Sequence, residues 1–235
     1  MTDRFLVRAQ LRRDVPATTL APLLVPQDRD AQTSAAHQLI WALFADEPGR
    51  RRDFLWRQTA PGAFLALAAR PPSDPHNLFV LDWKPFAPKL QAGQRLAFNL
   101  RANPTVASAP PAPTKRGKRH DVVMHALYSL AKEQRAVERE SRTRAAASAW
   151  LAKQGISYGF DIDVDNLSID GHNQVRVARS RGRPITFSVL EFEGILTIRE
   201  PKLFLQRIAA GFGAARAFGC GLMLIGRAAV RISAA

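Results

Sequence analysis

Residues 211–222 read Gly211-Phe212-Gly213-Ala214-Ala215-Arg216-Ala217-Phe218-Gly219-Cys220-Gly221-Leu222, four glycines and one arginine in twelve residues. Gly211, Gly213, Gly219 and Gly221 lack the Cβ that holds a ligand off the backbone, so their segment can turn amides toward one anion. Arg216 adds a charge-assisted donor to that set. The same spacing also suits a packing loop that meets no ligand. A dinucleotide fingerprint is a weak match, because the third glycine is missing and the run follows a helix instead of opening one. Arg176, Arg179, Arg181 and Arg183 form a second cluster within a predicted β-hairpin and its turn. Such an arm suits a duplex stem contacted through phosphates and base edges, although a charge run of this kind can also be a solvated face. Lys115, Arg116, Lys118 and Arg119 make a third cluster, suited to general phosphate contact. His37 brings the one side chain whose ordinary pKa suits proton transfer near neutral pH, but an isolated helical histidine is usually structural.

Thirty-four Lys+Arg against 20 Asp+Glu leave a net charge of +14, which favours a polyanionic partner. A hydrophobic content of 46%, with four Trp and thirteen Phe, argues for a folded chain with a real core. One cysteine, Cys220, excludes an intrachain disulfide and a cysteine-rich zinc site, and its glycine neighbours suggest a small buried residue. Asp161, Asp163 and Asp165 alternate along a predicted strand and share a face, without the glycine and distal glutamate of a calcium loop. His76, His120, His125 and His172 show no metal-ligand spacing, so neither a metal nor a small-molecule cofactor is expected. No signal-peptide core or bilayer-spanning run is visible, and a cytoplasmic protein without membrane contact is expected.

Elements able to position these groups follow from periodicity. Residues 4–11 read as a strand and 31–45 as a helix, with Ala35, Ala36, Leu39, Ile40, Leu43 and Phe44 on one apolar arc. His37 falls at the edge of that arc, with Ser34 and Trp41 on its outward side. Strands at 53–56 and 63–67 flank the Pro61-Gly62 turn, and another covers 78–83. After breakers at Pro85, Pro88 and Gly93, strands are predicted at 95–100, 157–164, 174–177, 186–198 and 222–225. A helix over 141–153 is expected to stop at Gly155, a second opens at Pro201 and ends at Gly211, and 104–119 reads as a loop. The result is an α+β chain of two tandem ferredoxin-like (RRM-like) βαββαβ domains, at residues 1–90 and 93–235.

Four segments carry a resemblance: Asn99 to Pro104, Lys118 to Met124, Phe192 to Ile198 and Gly211 to Leu224. With His37 to Phe44 and Arg52 to Trp56, they are similar to the CasE family, the CRISPR RNA-processing endoribonucleases of type I-E systems. The resemblance implies a metal-independent cut in precursor CRISPR RNA at the 3′ base of the repeat hairpin. The preceding 2′-hydroxyl attacks, leaving a 2′,3′-cyclic phosphate and a 5′-hydroxyl. That chemistry needs a base, an acid and positive charge near the phosphorane. The family's catalytic histidine falls on His37, as base or acid. Many relatives carry a tyrosine three residues earlier, where this chain has Ser34, a shorter stand-in. Trp41 is placed to stack on a base or to pack.

In the resembled family a basic stretch at 176–183 contacts the stem, and Arg101 lies in the shared Leu100-Arg101-Ala102-Asn103-Pro104 motif. The implied partners are the CRISPR RNA repeat hairpin and the other Cascade subunits, with the protein retained on its product. Two alternatives stay open. One is a non-cleaving RNA-hairpin-binding structural subunit, which the absent tyrosine favours. The other is a general RRM-like RNA binder, which would show no preference for one repeat.

Overall fold

The computed structural model describes residues 4–12, 29–47, 49–108, 117–128, 130–177 and 184–228. Its first half is built from β1 (Phe5–Leu11), α1 (Arg29–Ala42), β2 (Phe54–Ala60), β3 (Ala63–Ala68) and β4 (Phe79–Pro85). Because successive strand residues face opposite ways, Val7, Ala9 and Leu11 of β1 share one buried face with Phe54 and Trp56 of β2. Onto that face α1 lays Ala36, Leu39, Ile40, Leu43 and Phe44, the apolar arc expected from its periodicity. The strands run antiparallel in the order β2-β3-β1-β4, the ferredoxin-like arrangement.

One departure lies between β3 and β4. No helix forms over 69–78, where Pro71, Pro72 and Pro75 deny helical hydrogen bonds. The return is tied down instead by Asp74, whose carboxylate accepts from the amides of Leu78 and Phe79 at 3.0 and 2.7 Å.

The second half contains β5 (Arg95–Ala102), β6 (Thr105–Ala107), β7 (Arg119–Asp121), α2 (Val122–Tyr128) and α3 (Lys132–Tyr158). It continues through β8 (Phe160–Ile162), β9 (Ser168–Val177), β10 (Ile185–Ile198), α4 (Pro201–Ala210) and β11 (Met223–Arg227). Its sheet runs β11-β5-β10, and the 14-residue β10 then pairs with β9 along its first part and with β8 at its end. Trp150 and Leu151 of α3, and Phe204 and Ile208 of α4, pack on Leu100, Phe192 and Leu196. Leu55 and Leu67 point from the opposite face of the first sheet into this same cluster, so that sheet is covered on both sides.

Three sequence expectations are corrected. Gly155 does not stop the helix; α3 runs from Lys132 to Gly159, which caps it in the left-handed region at φ 73°. Residues 132–140 carry no apolar stripe, yet they are strong helix formers, aided by the Glu138–Arg142 pair at 2.8 Å. The strand expected at 157–164 is reduced to β8, and the 104–119 loop zips at both ends, with Thr105–Ala107 paired to Arg119–Asp121. Asp121 then caps α2 by accepting from the Met124 amide at 2.8 Å.

Gly155 serves close packing: a Cβ there would stand 2.3 Å from the Phe160 carbonyl oxygen. Gly→Ala inside a helix ordinarily gains about 0.5–1 kcal/mol. Here the sign should reverse, and Gly155→Ala should lose about 1–3 kcal/mol in urea denaturation.

Candidate nucleic-acid interface and active site

α1 places His37 at the rim of its buried face, half-exposed, with Ser34 one turn earlier and also half-buried. The imidazole centroid lies 6.0 Å from the Trp41 ring and 5.7 Å from Phe218, which belongs to the loop after α4. Trp41 rests on Phe54 at 5.3 Å, and Phe218 stacks on Phe187 of β10 at 5.6 Å with planes 23° apart. The histidine of the first half therefore meets the glycine-rich loop of the second. That loop is pinned to the first sheet by Trp56, whose indole Nε1 donates to the Ala217 carbonyl at 3.0 Å. A cavity of about 280 Å³ opens here between α1, β2 and the loop, walled by Thr33, Gln58, Arg101, Val175 and Phe218.

Burial first, and the Arg52 cation second, hold the His37 imidazole below its ordinary pKa of 6.5, so it is neutral at pH 7. Arg52 precedes β2 and is itself held below its ordinary value by burial and by Arg216, while remaining charged. Arg216 is lowered by burial and by Arg119. It donates from Nε to the Gly213 carbonyl at 3.0 Å and from Nη1 to the Ala210 carbonyl at 2.7 Å. His37, Arg52, Arg216 and Arg119 thus form an electropositive group drawn from four separate segments.

Part of the glycine run is bonded and packed within the chain. The amides of Phe212, Ala214 and Gly221 donate to the carbonyls of Gly221, Asn103 and Arg101 at 3.0, 2.9 and 2.7 Å. Those of Gly211 and Phe218 are also bonded within the chain. Gly211, Gly219 and Gly221 are buried; Cβ atoms at Gly211 and Gly221 would press on Leu55 and the Phe212 carbonyl, and Gly219 lies against Trp56. Gly213 has φ +70° and sits so close to Asn103 that a Cβ would lie 2.5 Å from its carbonyl oxygen. These glycines let the loop pack closely, and the loop brings Phe218 against His37.

The other predicted residues divide. Arg101 lines the cavity, with its charge offset by Glu191 at 3.1 Å, which also accepts from Arg57 at 3.1 Å. Lys118 and Arg119 are exposed on and beside β7, and Arg119 lines a second cavity of about 400 Å³ with Gln174 and Phe187. Arg176 is exposed on β9, whose ladder with β10 reaches Val177 opposite Ile185. Lys115, Arg116, Arg179, Arg181 and Arg183 lie outside the described residues. Cys220 is buried, and its thiol is pushed up to about 12 by desolvation, so it is no nucleophile.

Asp161 and Asp163 do not share a strand face, since the chain leaves β8 at Ile162 and enters a short 3₁₀ turn. Each pairs with an arginine, Arg199 and Arg95 respectively. Among the described residues no group of three or more His, Cys, Asp or Glu side chains could hold a metal ion. No helix among them is long and apolar enough to cross a membrane. Sequence reasoning missed Arg52, Phe187 and Phe218. Phe218, an aromatic set among glycines, is the one with a visible signal.

Two ferredoxin-like units meeting at a histidine and an arginine cluster suit a protein that binds a polyanion, and comparison with known proteins supplies the family. The chain belongs to the CRISPR associated protein family, whose model matches residues 4–227, and within it to the CasE-type proteins. The CRISPR system Cascade subunit CasE of Escherichia coli K12 is 28% identical over 194 residues, covering 80% of this chain and 88% of the relative. The structure of Thermus thermophilus Cse3 bound to an RNA representing a pre-cleavage complex matches with a TM-score of 0.65 at 25% identity. That match covers 95% of this chain and 99% of the other. Cas6e from E. coli shares the fold, with a TM-score of 0.58 at 21% identity over 95% of this chain and all of its own.

Proposed function

We propose that this protein is a metal-independent endoribonuclease that cuts precursor CRISPR RNA at the 3′ base of the repeat hairpin. It then keeps the hairpin as a Cascade subunit, acting in the cytoplasm where such transcripts are made. The observation that carries the reading is the neutral His37 imidazole set against the Arg52–Arg216 charge, in a chain of CasE type. His37 takes the proton of the 2′-hydroxyl as its oxygen bonds to phosphorus. The P–O5′ bond breaks, and the departing oxygen gains a proton from solvent, yielding the 2′,3′-cyclic phosphate and 5′-hydroxyl. Ser34, one turn before His37, is assigned a hydrogen bond to the departing oxygen. The division of the chain at 90–93 assigns His37 to one domain and Arg216, Arg119 and the 176–183 arm to the other. RNA contact is assigned to Arg101, Lys115, Arg116, Lys118, Arg119, Arg176, Arg179, Arg181, Arg183 and Arg216.

The test is incubation of the purified protein with its own repeat RNA in EDTA, followed by analysis of the RNA ends. A cyclic phosphate on the upstream product supports the reading. An intact but tightly bound hairpin replaces it with a non-cleaving structural subunit, and equal affinity for unrelated hairpins replaces both with a general RNA binder. The pH profile adds a signed prediction. Because the base is neutral above its lowered pKa, the acidic limb of the single-turnover rate should have its midpoint below pH 6.5. An acidic limb centred above 6.5 contradicts His37 as the base.

A further inference from the structure

We infer that Arg52 is the cation that grips the scissile phosphate, its guanidinium donating hydrogen bonds to the non-bridging oxygens while the phosphorane forms beside His37. This assignment rests on the endoribonuclease reading and supplies the positive charge that reading requires. Three observations carry it.

The first is pairing. Arg50 is held by Asp46 and Glu47 at 2.8 Å each, and Arg70 by Asp46 and Asp53 at 2.7 and 2.9 Å. Arg57 and Arg101 share Glu191. Arg52 stands among these pairs, and among the described residues no carboxylate lies within salt-bridge distance of it. Even Asp53, its sequence neighbour, is turned to Arg70.

The second is burial. Arg52 is half-buried and its Nη1 is buried without a hydrogen-bond partner among the described residues. A buried guanidinium nitrogen without an acceptor costs free energy until an anion meets it. The third is placement. Arg52 lies two residues before Phe54, whose ring meets Trp41, one turn along α1 from His37, at 5.3 Å. It lies three before Leu55, which together with the Arg216 side chain closes over Gly211. In keeping with that placement, its charge acts on His37 and it feels Arg216. An anion bound beside the imidazole would offset the repulsion between these two cations. Arg216 cannot take the same role as freely, since two of its donors brace Gly213 and Ala210.

The experiment compares wild type, Arg52→Gln, Arg52→Lys and His37→Ala as full-length proteins on the chain's own repeat RNA. Three quantities are read: the single-turnover cleavage rate, the affinity for a product hairpin ending before the cut, and the thermal midpoint. Arg52→Gln should lower the rate by about 10²–10³-fold, the loss typical of removing a preorganised charge donor. Product affinity should stay within about twofold, because the remaining phosphate contacts are intact. The thermal midpoint should hold or rise, since an uncompensated charge has been removed. Arg52→Lys should recover part of the rate through charge without the forked donors. A wild-type rate in Arg52→Gln, alongside His37-dependent cutting, overturns the Arg52 assignment alone. A lowered midpoint with no rescue by Lys overturns it in favour of a structural role. Failure of the wild type to cut overturns the endoribonuclease reading itself.

Discussion

His37→Ala should cut the single-turnover cleavage rate by about 10²–10⁴-fold, the range for removing a positioned general base. Hairpin affinity should change little, because the imidazole makes no hydrogen bond among the described residues and sits at the rim, away from the core under α1. Stability should also be nearly unchanged. Leu39, Ile40, Leu43 and Phe44 anchor the helix, and the lost ring contacts are those with Trp41 and Phe218 at 6.0 and 5.7 Å. Rate, affinity and thermal midpoint measured on one preparation separate these effects. A rate within threefold of wild type removes His37 from the chemistry.

Gly213→Val carries the second large effect, and it arises far from any proton transfer. The residue holds φ +70°, a conformation that β-branched side chains avoid, and the new Cβ would stand 2.5 Å from the Asn103 carbonyl oxygen. Strain and overpacking together should remove about 3–5 kcal/mol of stability. The clash also bears on function. Asn103 accepts from the Ala214 amide at 2.9 Å, while the Gly213 carbonyl holds Arg216 at 3.0 Å. Displacing Gly213 therefore moves the arginine that faces Arg52. Urea denaturation together with cleavage at a temperature where the variant is still folded would show both losses. A fully stable, fully active Gly213→Val would mean the loop is far more yielding than its contacts imply.

The sequence is legible wherever one periodicity governs. The apolar arc of α1 and the alternation of β1 announce their buried faces directly, as does the Pro61-Gly62 turn, where Ala60 pairs with Ala63. It misleads where a residue answers to a distant neighbour. Gly155 reads as a helix stop because its reason, the Phe160 carbonyl pressing on its Cα, belongs to tertiary packing. The close packing of the glycines of 211–221 is hidden for the same reason; Leu55, Trp56 and Asn103, which they admit, lie more than a hundred residues away.

The site was legible in part. His37 and Arg216 could be picked out, one through family resemblance and one through its glycine setting. Arg52 could not, since Arg50-Arg51-Arg52 offers three like residues and only the fold shows that Asp46 and Glu47 claim the first. Phe187 was hidden within an ordinary strand pattern, and only its stacking on Phe218 marks it.

Leu55 and Leu67 bury the rear of the first sheet within the second core, and Trp56 bolts the 211–222 loop onto the same strand. The two halves are consequently welded, and the candidate site is a seam running along the weld. Neither half expressed alone keeps the seam, and a leucine-to-polar change at position 55 would loosen it without touching a reacting group. On the proposed reading, catalytic output is then a gauge of how tightly the two halves are clamped, which a neighbouring subunit pressing on either one could tune.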